Sequence, residues 1–268
     1  MSKKRQDAIF DQVPDRRSTV VTLTQDYPAG YTVPMHFHDR DQLVYASRGV
    51  MTVRTSQGTW VVPTHRAVWI PEAVPHCIAM SGKVEMRTLY LKRGLAKFLP
   101  RDCCVVNVAP LLRELILHAC QFGTLRGRVR LHARVIEILL DQLKVIQVVP
   151  LQLPNVSDAR ALRIASILLA DPGNRQPLAR LCKRSGASRR TVERLFEAEV
   201  RMTFGKWRQQ LKLMEGMRLL GEGAKVTHAA LEAGYSTPSA FIAAFRKTLG
   251  TTPAMYFKMS AWAGRDPR

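Results

Sequence analysis

The feature that most constrains this chain is a pattern that occurs twice near its C-terminal end. In PLARLCKRSGASRRTVERLFEAE the small Cys182 is followed four residues later by Gly186. Ser188 then precedes a segment whose apolar positions are Val192, Leu195 and Phe196. In VTHAALEAGYSTPSAFIAAFRKTLG Ala230 is followed four residues later by Gly234. Ser236 or Thr237, with Pro238, can open a helix whose apolar side is Phe241, Phe245 and Leu249. Two helices cross closely over a small residue, and the sharp turn between them needs a left-handed residue, a conformation that glycine adopts without penalty. Ser or Thr at the helix start accepts from a free backbone N–H, and Pro fits the first turn. One such match is weak, but two with glycines 234 − 186 = 48 residues apart are strong. The pattern predicts two helix-turn-helix units. Between them, FGKWRQQLKLMEGMRLLGEG predicts one helix of about 16 to 18 residues, roughly 25 Å long. Such a helix can hold two reading helices about one DNA turn (~34 Å) apart.

Charge points the same way. The 268 residues contain 41 Lys+Arg against 21 Asp+Glu, a formal +20. Residues 1–150 carry 21 − 12 = +9 and the shorter remainder 20 − 9 = +11, so the C-terminal part is more basic per residue. An excess of this size favours polyanions, though a basic solvated surface would show it too. With 46% hydrophobic residues the chain can bury about two cores, and no apolar run reaches the ~20 residues of a membrane span. The basic start Met1–Arg5 is not followed by an apolar secretion core. The five cysteines are odd in number and lack CxxC pairing, which fits reduced thiols in a cytoplasm. The adjacent Cys103 and Cys104 are either a redox pair or ordinary small buried residues.

Residues ~18 to 92 read as β structure. The runs LVYAS, VMTVRT, TWVV, AVWI, HCIAM and MRTLYL are separated by turn signals at Gly49, Ser56-Gln57-Gly58, Pro63-Thr64, Pro71 and Ser81-Gly82. Short strands with regular turns predict a sandwich or small barrel. From about residue 108 the period becomes helical. Val108, Leu111, Leu112, Leu115, Ile116, Ala119 and Phe122 form one stripe ending at Gly123, and Leu131, Val135, Ile138, Leu139, Gln142 and Ile146 form another. The stripes either cover the β-domain or form the seam of a homodimer. Pro150 and Pro154 end the second helix, and Ser157-Asp158 can cap the next. The expected architecture is multidomain α+β. It comprises a β-sandwich or barrel over 1–100, a helical connector over 101–156, and an all-α domain with two helix-turn-helix units over 157–260.

The C-terminal ordering of GY, SAF, AFRKTLG and Thr252-Pro253 before Tyr256 resembles the AraC/XylS family of transcription regulators, over residues ~159 to 258. The resemblance implies double-stranded DNA as partner, with RNA polymerase as a further one. The first recognition helix would offer Arg189, Arg190, Thr191, Glu193 and Arg194, and family base contacts fall on Arg190, Glu193 and Arg194. Arg can grip guanine O6 and N7, and Glu can accept from cytosine N4. The second would offer Thr237, Ser239, Ala240 and Ala243, small residues suited to thymine methyls, phosphate and shape, with Arg246 and Lys247 as phosphate contacts.

In the front half, Gly30, His36, Phe37, His38, Gln42 and Gly49 are spaced as in the first cupin motif, with Gln in place of Glu. The stretch Pro71-Glu72-Ala73-Val74-Pro75-His76 resembles the second motif, with Ala73 replacing glycine and Met80 where asparagine is expected. His36 and His38, two apart on a strand, would share one face, and Gln42 would join them if the strand continued. A third histidine, His76, from a neighbouring strand would close the site. Three imidazoles and one oxygen suit a divalent transition metal such as Fe, Ni or Zn; the same residues could instead line a metal-free pocket. His65, His118, His132 and His228 match no ligand spacing. The cupin-like domain is then either a sensor of a small molecule or metal, or a metal-dependent oxygenase fused to a DNA reader. Gln42 weighs against the oxygenase, because a neutral amide cannot act as a carboxylate base. The HxH and QLVYA pattern further resembles regulators of small-molecule efflux or of metal homeostasis.

Overall fold

A computed structural model describes residues 9–10, 13, 15, 17–149 and 151–262. The basic stretch Met1–Arg5 and the helix-ending Pro150 lie outside the described residues. The chain divides into two compact units, with the division between Leu151 and Gln152. It falls between Pro150 and Pro154.

The first unit is a β-rich sheet domain. Its strands are β1 (Ile9–Phe10), β2 (Val20–Tyr27), β3 (Thr32–Phe37), β4 (Asp41–Arg54), β5 (Gly58–Pro63), β6 (Arg66–Ile70), β7 (His76–Leu91), β8 (Cys104–Asn107), β9 (Thr124–Leu125) and β10 (Val148–Val149). β7 organises them. It pairs along one side with β4, and along the other with β3 over its first half and β2 over its second. β6, β8 and β10 extend the sheet beyond β4.

Two expected turns are not turns. LVYAS and VMTVRT form the single strand β4, and HCIAM and MRTLYL form the single strand β7. At Gly49 (φ 86°) and Gly82 (φ 75°) the two strands bulge together, and the β4–β7 register shifts between Ala46 and Val50. The glycine is needed because a Cβ at position 49 would stand 2.5 Å from the Lys83 carbonyl. Both glycines are left-handed, as in a turn, but a bulge uses the same residue to bend a strand without ending it.

Helices α1 (Pro110–Phe122) and α2 (Arg130–Lys144) pack on this sheet. Leu112, Ile116, Ala119, Val135, Ile136, Leu139 and Leu143 join Leu43, Tyr45, Trp69, Leu89 and Val106 in one core. Through Leu151 the expected connector is therefore part of the β-unit. The stripes are narrower than the sequence suggested: Leu111, Leu131 and Ile138 are 53%, 55% and 45% exposed. Cys103 and Cys104 sit where burial pushes their thiols up to about 12 and about 11, so they remain protonated and poorly nucleophilic.

The second unit is helical: α3 (Ala159–Ala170), α4 (Leu178–Ser185), α5 (Arg189–Val200), α6 (Phe204–Gly221), α7 (Val226–Glu232), α8 (Pro238–Leu249) and α9 (Pro253–Trp262). Its core is aromatic. Phe196 packs edge-on against Phe204 and Trp207, and Phe241 against Tyr235 and Phe245. Gly216 lets α8 approach α6, since a Cβ there would meet the Phe241 ring at 2.5 Å.

Candidate functional site

Each predicted helix-turn-helix forms by the local chemistry read from the sequence. α4 ends on Gly186 in the left-handed conformation (φ 68°), and Ser188 caps α5 by accepting from the Thr191 N–H at 3.1 Å. α7 is followed by Gly234 (φ 83°), and Thr237 caps α8 by accepting from the Ala240 N–H at 3.2 Å. Val192, Leu195 and Phe196 are buried under α5, and Phe241, Phe245 and Leu249 under α8. α6 runs 18 residues between the units, about 27 Å at the helical rise.

The opposite faces are open to solvent. On α5, Arg189, Arg190 and Arg194 are exposed and Thr191 is half-buried, its hydroxyl 2.9 Å from that of Ser188. Glu193 is also half-buried. One of its oxygens accepts from the Phe204 N–H, the first residue of α6, at 3.2 Å. That contact was not expected: Glu193 satisfies a free donor at a helix start, so part of its carboxylate belongs to the frame. On α8, Thr237, Ser239, Ala240, Ala243, Arg246 and Lys247 are all exposed.

The β-unit holds the second constellation. β3 and β7 pair so that His36 lies directly opposite His76, and His38 follows one residue after β3 ends. The three rings lie 4.3 to 5.5 Å apart by centroid, and each can offer a nitrogen within 4.8 Å of the others. All three are buried, at 6%, 3% and 1% exposure for His36, His38 and His76. His36 Nδ1 lies 2.7 Å from the Pro34 carbonyl and His76 Nδ1 2.9 Å from that of Val74. Both rings are thereby held with Nδ1–H donating and Nε2 carrying the lone pair, the tautomer a metal ligand needs. Burial, with His36 and His38 beside it, pulls His76 down to about 3 and keeps it neutral.

Gln42 reaches this region differently from the sequence expectation. The strand carrying His36 does not continue; it ends at Phe37, and Gln42 lies at the start of a separate strand, β4, as its second residue. The break is anchored by Arg40, whose guanidinium donates to the Ser18 carbonyl at 3.0 Å. Gln42 instead stands opposite Tyr90, whose ring packs edge-on on His38 at 4.8 Å. It is 2% exposed, and its Oε1 has no hydrogen-bond partner among the described residues, like Nε2 of His76. Ala73 holds the position where the motif has glycine, and it keeps the glycine conformation (φ 60°) while donating its N–H to the His38 carbonyl at 2.8 Å. His65 sits at a positive-φ turn, and His132 accepts from the Arg126 N–H at 3.2 Å; both serve local structure.

Residues 181–259 match the model of a helix-turn-helix domain family, and residues 19–147 match the AraC-like ligand binding domain. The HTH-type transcriptional regulator NimR of Escherichia coli (strain K12) is 32% identical over 84% of this chain and 82% of its own. The chain belongs to the AraC family of transcription regulators. Among solved structures, ToxT from Vibrio cholerae aligns over 90% of this chain and 98% of its own, at 11% identity and a TM-score of 0.38. The DNA-binding domain of AdpA, solved with a target DNA, aligns over 40% of this chain and 97% of its own, at 26% identity and a TM-score of 0.38. As an AraC-family member this protein is a DNA-binding regulator with a ligand-binding domain, and the oxygenase considered from the sequence is set aside. None of its described helices is long and apolar enough to cross a membrane.

Proposed function

We propose that this AraC-family regulator reads two successive major grooves on one face of double-stranded DNA. α5 supplies sequence choice; α8 supplies shape and anchoring. The observation that carries the reading is the repeated unit: the same turn, cap and buried anchor occur twice, joined by the single helix α6. Arg190 and Arg194, four apart on an exposed face, can each grip a guanine edge. Arg189 and Thr191 lie beside them, and Glu193 has one carboxylate oxygen left for a cytosine amino group. On α8, Thr237, Ser239, Ala240 and Ala243 offer small side chains to thymine methyls, and Arg246 and Lys247 offer charge to phosphates. The test is a footprint of the full-length protein on duplexes it selects from a randomised pool. Protection across two successive major grooves is expected, and protection confined to one overturns the reading.

The effector domain, on the same proposal, binds a divalent transition metal such as Fe, Ni or Zn through His36, His38 and His76, with Gln42 as the oxygen donor. What supports this is the set of buried lone pairs: Nε2 of His76 and Oε1 of Gln42 have no hydrogen-bond partner among the described residues, and two Nδ1 atoms are tied to carbonyls. These neutral donors would leave the ion its full charge, which favours an anionic small-molecule effector beside it. Mass-spectrometric metal content of untagged protein is expected to be near one ion per chain, and to vanish in His36→Ala/His76→Ala. Near-zero metal in both after loading would leave the histidines as pocket lining.

The exposed Leu111, Leu131 and Ile138 on α1 and α2 support a homodimer through these helices. Equilibrium sedimentation of the full chain checks it, and a monomer at micromolar concentration overturns it.

A further inference from the structure

The helical unit holds a cluster of cations with no acidic partner. Arg208 of α6 donates to the Gln176 carbonyl at 2.8 Å and the Asn174 carbonyl at 2.5 Å. Lys212, one turn on, donates to the Gly234 carbonyl at 2.7 Å. Arg175 lies 3.5 Å from the Leu231 and Tyr235 carbonyls. Among the described residues of this unit the ion pairs are Arg160–Asp158, Arg218–Glu215 and Arg218–Glu222, so none of the three cations meets a carboxylate. Carbonyl dipoles solvate a cation without neutralising it, and like charges held half-buried repel. Burial accordingly lowers both Arg208 and Lys212, the latter further through Arg208 and Arg175.

A groove of about 350 Å³ opens on this cluster, walled by Arg208, Gln209 and Lys212 on α6 and by Gly234, Tyr235 and Ser236 in the turn that leads into α8. Two of its lining residues carry buried polar atoms with no hydrogen-bond partner among the described residues: Nε of Arg208 and the hydroxyl of Tyr235, a residue 8% exposed. Gln209 and Ser236 are exposed at its rim. The site is positive, polar and short of an anion.

We propose that this groove seats a phosphate of the DNA backbone between the two major grooves, with Lys212 and Arg208 as its charge and Gln209 and Ser236 as its rim. The proposal rests on the two-reader reading above. Two major grooves on one face of DNA are separated by a minor groove and its flanking backbones, and α6 is the element that spans the corresponding gap in the protein. A phosphate held against both α6 and the turn before α8 would set the register of the second reader relative to the first, independently of base identity.

The experiment uses Gln209, which is exposed and whose side chain makes no hydrogen bond among the described residues. Gln209→Glu is expected to weaken binding of the full-length protein to every selected duplex roughly tenfold near physiological salt. Gln209→Lys is expected to tighten it and to steepen the salt slope by about 0.9, the signature of one more neutralised phosphate. Ethylation of the phosphates between the two grooves is expected to block binding. Both variants within twofold of the parent at unchanged slope, together with harmless ethylation there, overturn the proposal. Guanine-methylation protection confined to one major groove overturns the two-reader reading itself, and because it reads bases and not phosphates the two failures are told apart.

Discussion

The two helix-turn-helix units share a plan and differ in what they show to solvent. Each has a left-handed glycine turn, a hydroxyl cap and an aromatic anchor under the second helix. The first presents Arg189, Arg190 and Arg194; the second presents Thr237, Ser239, Ala240 and Ala243 before it reaches Arg246 and Lys247. Their turns also sit differently. Around Gly186 a Cβ would meet nothing within 4 Å, whereas at Gly234 it would stand 2.8 Å from the Gly173 carbonyl. On the proposed reading, the difference gives two copies of one motif separate duties. The first unit keeps a free turn and long donors that can discriminate bases, and the second is locked into the helical frame and offers a surface of shape.

The largest expected effect breaks the comparison at the turns. Gly234→Ala adds the left-handed penalty to a backbone clash and should cost roughly 2–5 kcal/mol, whereas Gly186→Ala has only the penalty, about 1–2 kcal/mol. Chemical denaturation of the full-length variants measures both, and equal losses would show that the contact between Gly173 and Gly234 carries no weight. Next, Gly216→Ala drives a methyl into the Phe241 ring and should cost about 1–3 kcal/mol. The loss should be felt first by α8, which hydrogen exchange can show against an undisturbed α5.

The reading faces give effects of similar size in binding. Arg194→Ala should cost on the order of 1–3 kcal/mol and relax the preference at one base pair, while Arg246→Ala should weaken all sequences alike and lower the salt slope. Titrations of selected and scrambled duplexes at several salt concentrations separate the two, and matching behaviour would erase the division of duties. The smallest effect concerns caps. Ser188 and Thr237 use hydroxyls, but Asp158 caps α3 with a carboxylate held below its usual range by hydrogen bonds from Arg160. A depressed carboxylate stabilises above its unfolded value of 3.8 and loses that contribution as pH falls through its folded value. Asp158→Asn should therefore flatten the acid limb of the stability curve slightly, and Ser188→Ala should leave its shape unchanged.

What the sequence by itself determined is the helical half. Gly186 and Gly234, Ser188 and Thr237, and the apolar positions at helical spacing are all local rules, satisfied within a few residues of chain, and the structure repeats them position by position. His36 and His38 were also legible, two apart in an extended segment, and His76 through its likeness to the second cupin motif, but only the pairing of β3 with β7 sets His36 opposite His76. Tertiary structure alone decided the rest. Whether Gly49 and Gly82 turn or bulge depends on two strands forty residues apart bending together. Whether Gln42 continues one strand or opens another depends on Arg40 reaching Ser18. Glu193 was expected to face a DNA groove, yet one of its oxygens accepts from the Phe204 N–H of a different helix. Leu111, Leu131 and Ile138 matched the apolar period of α1 and α2, but the sheet covers only part of each stripe. The physical reason is the same in each case: capping and turn preferences are settled by neighbours in sequence, while strand partners, helix-end acceptors and the width of a buried face are settled by groups that only folding brings near.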